Sequence, residues 1–388
     1  MREEAKLRDS VRIIFVSSAL LVTAFIWSGA SAQPALQPTS SIIVFRDACE
    51  PSAAVFLLAP GDRYLLVVAN DGDNTLRAYD ASQGGPAQPV AALDDHLAIP
   101  SGDRGRRRGR VDIEAAAELG GRIYWIASHS RENDEGELRP NRHKLFATDA
   151  SLASGSTGAI ELRTVGLARS LIEALSHERL GLRDAIGVDQ QGNLRRRDGN
   201  AKAEGGGLNI EGLARGFEDG TLLIGLRSPL RDGNAILLGF LNPAAVVERS
   251  NEGPIIDPNP ILLNLGGRGV RSIEYLEGAP ADRRYLIVAG RADGGDDFTV
   301  FRWSGERGEP ALEIAGAASL LRRLTDVSDS RWGERFRFGP EAMAVAPGEQ
   351  TLYLLSDDGD RMVDGSECQA DETPTHRRSF RGVALRIE

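Results

Sequence analysis

The chain has 388 residues, 41% of them apolar, and carries 46 Lys and Arg against 56 Asp and Glu for a formal net charge of −10. That acidity argues against general nucleic-acid binding, which needs a basic face to meet phosphates. The length would allow two or three domains, and the apolar content is enough for a large buried core.

In chain order, the N-terminus opens with Arg2, Lys6, Arg8 and Arg12, continues as an apolar run from Ile13 to Trp27, and ends in Ser28-Gly29-Ala30-Ser31-Ala32. This is the layout of a secretory signal peptide over residues 1–32, with cleavage after Ala32 at the small-residue site Ala30-x-Ala32. The apolar run is shorter than the roughly 20 residues that span a bilayer. The product, residues 33–388, is therefore expected to be periplasmic or secreted, monomeric, and without membrane insertion after cleavage. Two basic runs, Arg104 to Arg110 and Arg195 to Arg197, lie among Gly and Asp without interleaved aromatics and read as solvated loops.

Strand pairs then recur. Ile113-Glu114-Ala115 precedes Arg122 to Ser128, and Ile210-Glu211-Gly212 precedes Thr221 to Leu226. Ile273-Glu274-Tyr275 precedes Tyr285 to Ala289, and Pro340-Glu341-Ala342 precedes Thr351 to Leu355. A fifth pair, Pro51 to Leu58 and Tyr64 to Ala69, keeps the strands but has Glu50 out of register. Third strands follow at Thr75 to Tyr79, Lys144 to Thr148, Ala235 to Leu241, Phe298 to Trp303 and Gly382 to Ile387. Fourth strands follow at Val90 to Leu93, Ala159 to Thr164, Ile261 to Leu265 and Ala311 to Ile314.

The last copy lacks a fourth strand, and Ser41 to Arg46 is left over at the other end. Pairing the two shuts the sheet edges. The expectation is an all-β fold, one β-propeller domain of five four-stranded blades closed by the N-terminal strand on the C-terminal blade. Six blades stay open, because 97 residues separate Glu114 from Glu211 while the other spacings are 63 and 67. A helical and loop insertion at about residues 166–205 would absorb the excess, since Leu167, Leu171, Ile172 and Leu175 recur at helical spacing. Cys49 and Cys368 are the only cysteines; the closed ring puts them side by side, so a disulfide is expected in an oxidising compartment.

In an up-and-down blade, the loop entering the first strand and the loop joining the second to the third emerge on one face. That face gathers Glu114, Glu211, Glu274 and Glu341 with the loops carrying Asp71, His129, Arg227, Arg231, Arg291, Asp357 and Asp358. The other face receives turns such as Glu218-Asp219-Gly220 and Pro347-Gly348-Glu349.

Gly206 to Ala214 (GGLNIEGLA), Leu223 to Pro229 (LIGLRSP), Arg268 to Tyr275 (RGVRSIEY) and Leu355 to Gly359 (LSDDG), with Ser128-His129-Ser130 and Asp73-Asn74, resemble exported bacterial proteins of the domain of unknown function 3616 family. The resemblance covers nearly all of the mature chain and implies no settled activity. The repeated Glu-Gly step is also similar, over about three residues, to the esterase-like phytase propellers. In the first blade Ala69 to Asn74 stands where a more acidic run belongs, which weakens the case for a metal at that loop.

Two readings of the polar face follow. In one, the glutamates and Arg227, Arg231, Arg271 and Arg291 neutralise one another and tie the blades together. In the other they form a pocket, in which arginines grip a small anionic molecule and carboxylates hold a hard cation such as Ca²⁺ or act as bases. His129, between two serines, is then the candidate proton-transfer group, with Glu114 and Glu211 as further catalytic candidates. Glu274, Glu341, Asp357 and Asp358 complete the ligand-binding candidates. No Gly-x-Ser-x-Gly elbow and no Cys-rich or His-x-x-x-His metal set is present. The function classes that remain are a propeller binding a small anionic ligand or protein partner, and an esterase-like or phosphoester hydrolase dependent on a divalent cation.

Overall fold

The computed structural model describes residues 36–155, 158–249, 251–326, 337–348 and 350–387. The leader expected over residues 1–32 lies outside the described residues. The fold is all-β and propeller-like: short antiparallel sheets joined by few and short helices.

Three four-stranded sheets are separate. One holds Ile113–Leu119, Arg122–Ala127, Leu145–Asp149 and Thr164–Arg169; the next holds Asn209–Arg215, Leu222–Ser228, Ala235–Phe240 and Ile261–Leu263. The third holds Gly269–Tyr275, Tyr285–Gly290, Thr299–Trp303 and Leu312–Glu313. A nine-stranded sheet contains two further runs of four. The first is Pro51–Ala59, Arg63–Asn70, Thr75–Asp80 and Gly84–Ala92; the second is Gly339–Val345, Thr351–Asp357, Ser379–Ile387 and Ile43–Arg46. One parallel pairing, Phe45 with Gly85, joins the runs. As the leftover strand required, Ile43–Arg46 pairs antiparallel with the C-terminal strand, Ile43 opposite Gly382.

The first strands pack on one another in sequence: Pro51–Ala59 on Ile113–Leu119, then Asn209–Arg215, Gly269–Tyr275 and Gly339–Val345, which packs on Pro51–Ala59. The core lies between neighbouring sheets. Trp125 and Phe146 join Leu57 and Val67 in one cluster, Leu237 and Trp303 join Val270 in another, and Phe45, Phe380 and Leu66 meet in a third. The Glu-Gly step of the motif has a packing cause. A Cβ on Gly212 would lie 2.8 Å from Val270 Cγ1, so the glycine lets the next strand approach.

Two elements differ from expectation. The fourth strand of the sheet holding Glu114 is Thr164–Arg169, because Ile160–Glu161 pairs instead with Ala153–Ser154. Leu167 is therefore on an exposed strand, and the expected helix shrinks to the single turn Ile172–Leu175. The rest of that insertion is short turns, held because Leu171, Leu175, Leu180 and Leu182 are buried under the neighbouring sheets. A helix not expected, Ala317–Asp326, buries Ala317, Leu320, Leu321 and Leu324 against Phe338 and Leu286.

Cys49 and Cys368 form the expected disulfide, with Cα atoms 6.0 Å apart across 319 residues of sequence. Among the described residues no helix is long and apolar enough to cross a membrane.

Candidate functional site

Each first strand breaks register with its partner near its start, and Asn209–Arg215 does so twice in succession. The residue passed over is Ser52, Glu114, Glu211, Arg271 and Glu341 in the five copies. A β-bulge leaves one residue outside the ladder and re-aims its side chain. Here it directs three carboxylates and one guanidinium to a common mouth, while the buried Ser52 hydroxyl donates to Ile113 O on the neighbouring strand. The fourth copy thus contributes Arg271, and Glu274, three residues on, pairs in regular register with Leu286. Glu274 instead lines a second cavity at the opposite mouth, beside Tyr275, Val55 and Ala344. The repeat as read from its glutamates was misaligned in that copy.

Arg271 bridges two neighbours. Its Nη2 donates to Glu341 Oε1 at 2.5 Å, and its Nη1 donates to Glu211 Oε1 at 3.2 Å and lies 3.0 Å from Oε2. Arg227 Nη1 and Asn209 Nδ2 also donate to Glu211 Oε1, at 2.9 and 2.8 Å. Burial lowers the Arg271 proton affinity, but Glu211 and Glu341 outweigh it and hold the guanidinium charged.

The opposite side of the mouth has no such cation at its centre. Asp71, Asp112 and Glu114 bring carboxylate oxygens within 4.8 Å of one another, and Glu114 also lies within that range of Glu211 and Glu341. Glu114 is 5% exposed, yet its Oε2 has no hydrogen-bond partner; Asp71 Oδ1 and Asn209 Oδ1 are likewise buried without one. Asp112 is better served, accepting from Ser128 Oγ at 2.5 Å and facing Arg142 at 3.2 Å. Burial, then the neighbouring carboxylates, push Asp71 and Glu114 well above the usual range. Glu50 rises to about 8 through burial and Asp357. Glu341 also rises to about 8 through burial, opposed by Arg271.

These groups line a cavity of about 600 Å³. Carboxyl groups outnumber arginines in its lining, eleven to six, with Glu50, Asp71 and Glu114 among the first and Arg107, Arg110 and Arg337 among the second. The depth is graded: Glu114, Glu211 and Glu341 are buried, whereas the Arg107 and Arg337 side chains are 63% and 33% exposed.

Of the candidates from sequence, Glu114, Glu211, Arg227, Arg271, Glu341 and Asp357 meet in this cavity. The others do not. His129 is buried behind it: Nδ1 lies 2.8 Å from Ala127 O, and Leu171 N donates to Nε2 at 3.3 Å. Both ring nitrogens are thus occupied by backbone, and burial lowers its pKa to about 4. In this position the His129 ring faces backbone and not the cavity, and its Nε2 holds the start of the insertion. Arg231 donates to Leu180 O, also on the insertion. Arg291 is exposed and paired with Asp293. Asp358 is fully buried and receives Arg381 N, Nε and Nη2 at 2.9, 2.8 and 2.7 Å, a tie between strands. Glu50, Asp112 and Arg142 were missed. Asp112 stands two residues before Glu114 at φ 62°, a position that reads as an ordinary turn former.

Residues 172–362 match the family model described as Protein of unknown function (DUF3616). The DUF3616 segment includes Glu211, Arg227, Arg271, Glu341 and Asp357, whereas Asp71, Asp112 and Glu114 lie before it. No curated protein matches the chain in sequence. Among solved structures, glutaminyl cyclase of Myxococcus xanthus is 14% identical at a TM-score of 0.40, over 91% of this chain and 97% of that one. The PQQ-bound aldose sugar dehydrogenase of Streptomyces coelicolor is 14% identical at 0.35, over 91% and 100%. The α-L-arabinanase of Penicillium chrysogenum complexed with arabinobiose is 8% identical at 0.35, over 89% and 98%. With TM-scores below 0.5, these likenesses carry no argument about activity.

Proposed function

We propose that this chain is an exported β-propeller of five four-stranded blades, shut by the N-terminal strand on the C-terminal blade, that binds a small anionic molecule at its polar mouth. The two runs within the nine-stranded sheet and the succession of first strands support the blade count. The Cys49–Cys368 disulfide supports an oxidising compartment. The observation that carries the binding reading is the cavity of about 600 Å³ in which buried carboxylate oxygens lack partners. Buried charges that serve packing alone are paired. The grading of charge fits a ligand whose anionic group meets Arg107, Arg110 and Arg337 at the rim while positive charge lies toward the floor.

The test is a melting-temperature and calorimetric screen of the mature chain against phosphate monoesters and small carboxylic acids. Binders are expected to raise the melting temperature, and the Arg107→Ala, Arg110→Ala pair to weaken them. A screen with no binder, or binders indifferent to that pair, counts against the reading.

A second reading, phosphoester or ester hydrolysis, draws support from Glu50 and Glu341. Both hold a proton near neutral pH inside the cavity, as a general acid must. Turnover of p-nitrophenyl phosphate or acetate that disappears in Glu341→Gln, with the fold intact by circular dichroism, would favour it over binding alone.

A further inference from the structure

We propose that Asp71, Asp112 and Glu114 hold a hard divalent cation, with Ca²⁺ as the first candidate, at the floor of the polar mouth. This rests on the reading of the mouth as a binding site and gives that site its positive component. The charge balance on the two sides of the mouth differs. Glu211 and Glu341 share Arg271, and Glu211 has Arg227 as well. On the other side Arg142 pairs with Asp112 and also donates to Ser130 Oγ and Arg131 O. No arginine or lysine pairs with Glu114 or Asp71 among the described residues. The carboxylate trio alone would not make a site. What points to a ligand is Glu114, 5% exposed with Oε2 unpartnered, together with Asn209, 5% exposed, whose Oδ1 also lacks a partner in the same cavity.

The donor set selects the cation. The trio offers oxygen only, and no His or Cys joins either carboxylate group. Oxygen ligands suit Ca²⁺, Mg²⁺ and Mn²⁺, while Zn²⁺ sites draw on imidazole and thiolate. Ca²⁺ accepts six to eight oxygens in adaptable geometry, which leaves positions for water or for the anionic group of a molecule entering past the rim arginines. Asp71 comes from the loop after the second strand of one blade, and Asp112 and Glu114 from the start of the next. A bound ion would therefore clamp two blades together.

The experiment uses the mature chain, stripped with EDTA, desalted, and titrated with CaCl₂ by calorimetry with melting curves in parallel. The expected result is saturable binding at about one Ca²⁺ per chain and a higher melting temperature. Asp71→Asn and Glu114→Gln should each weaken binding roughly tenfold or more, while Arg291→Ala, exposed and outside the cavity, should leave it unchanged. Circular dichroism reports folding; if Glu114→Gln does not fold, Asp71→Asn on its loop decides. The proposal is overturned if Ca²⁺, Mg²⁺ and Mn²⁺ all fail to bind, or if both variants bind Ca²⁺ as the parent does. The anionic-ligand screen run in EDTA separates the two ideas: ligands that still bind there keep the mouth as a binding site while the cation falls.

Discussion

Arg271 occupies a position that holds glutamate in three of the other four copies, and its neighbours explain why. Glu211 and Glu341 approach from either side, and a third carboxylate between them would leave buried like charges unanswered. Removing one partner of a buried ion pair strands the other charge, so Arg271→Leu should cost about 3–5 kcal/mol in urea unfolding. Adding Glu211→Gln should recover part of that loss, since the stranded carboxylate is then gone. His129 poses the converse case, a buried base kept neutral. Its folded-state pKa of about 4 lies below the ordinary 6.5, so the unfolded chain takes the proton first. Its contribution is present above about pH 6.5 and drains away as pH falls toward 4. His129→Asn tolerates the left-handed φ of 54°. It should lower stability at pH 7 by about 1–3 kcal/mol, and its stability should fall less steeply with acid than that of the parent.

At the scale of elements, the strands were legible because β-branched and aliphatic runs alternate with Gly, Asp and Pro turns, and tertiary contacts did not overrule them. Glu114, Glu211 and Glu341 were legible as a recurring position. Arg271 was not, because reading by charge hid what the apolar flanks preserve: Val270 and Ile273 stand to Arg271 as Ile210 and Leu213 stand to Glu211. The helix Ala317–Asp326 carried its own signal, with apolar residues at 317, 320, 321 and 324, and was passed over for its place after a strand. His129 misled for another reason. Its serine neighbours announce a polar loop, and only the insertion's Leu171 shows that the loop is covered. The disulfide joins the loop after Ile43–Arg46 to the hairpin Met362–Val363 with Ser366–Glu367. Cys49→Ser with Cys368→Ser should therefore lower stability by about 2–4 kcal/mol, measured against the oxidised parent under the same denaturant.

For the whole molecule, the carboxyl-rich mouth sets how stability runs with pH. Glu50 and Glu341 keep their protons to about pH 8 when folded and lose them near 4.5 when unfolded. Their contribution is full below about 4.5 and is lost as pH rises through 8. Between about 4.5 and 6.5 His129, and His143 stacked on it and likewise lowered by burial, pull the other way. The parent in EDTA should thus show a shallow maximum on the acid side of neutrality and a decline from about pH 6.5 to 8, read from melting temperatures. Glu50→Gln with Glu341→Gln should flatten that decline.

The pairing of Ile43–Arg46 with Ser379–Ile387 also bears on biosynthesis. Ile43–Arg46 stays bare until a strand from far downstream in the chain reaches it. A product truncated before residue 379 would leave Ile43–Arg46 without its antiparallel neighbour and Cys49 near a frayed edge, open to proteases.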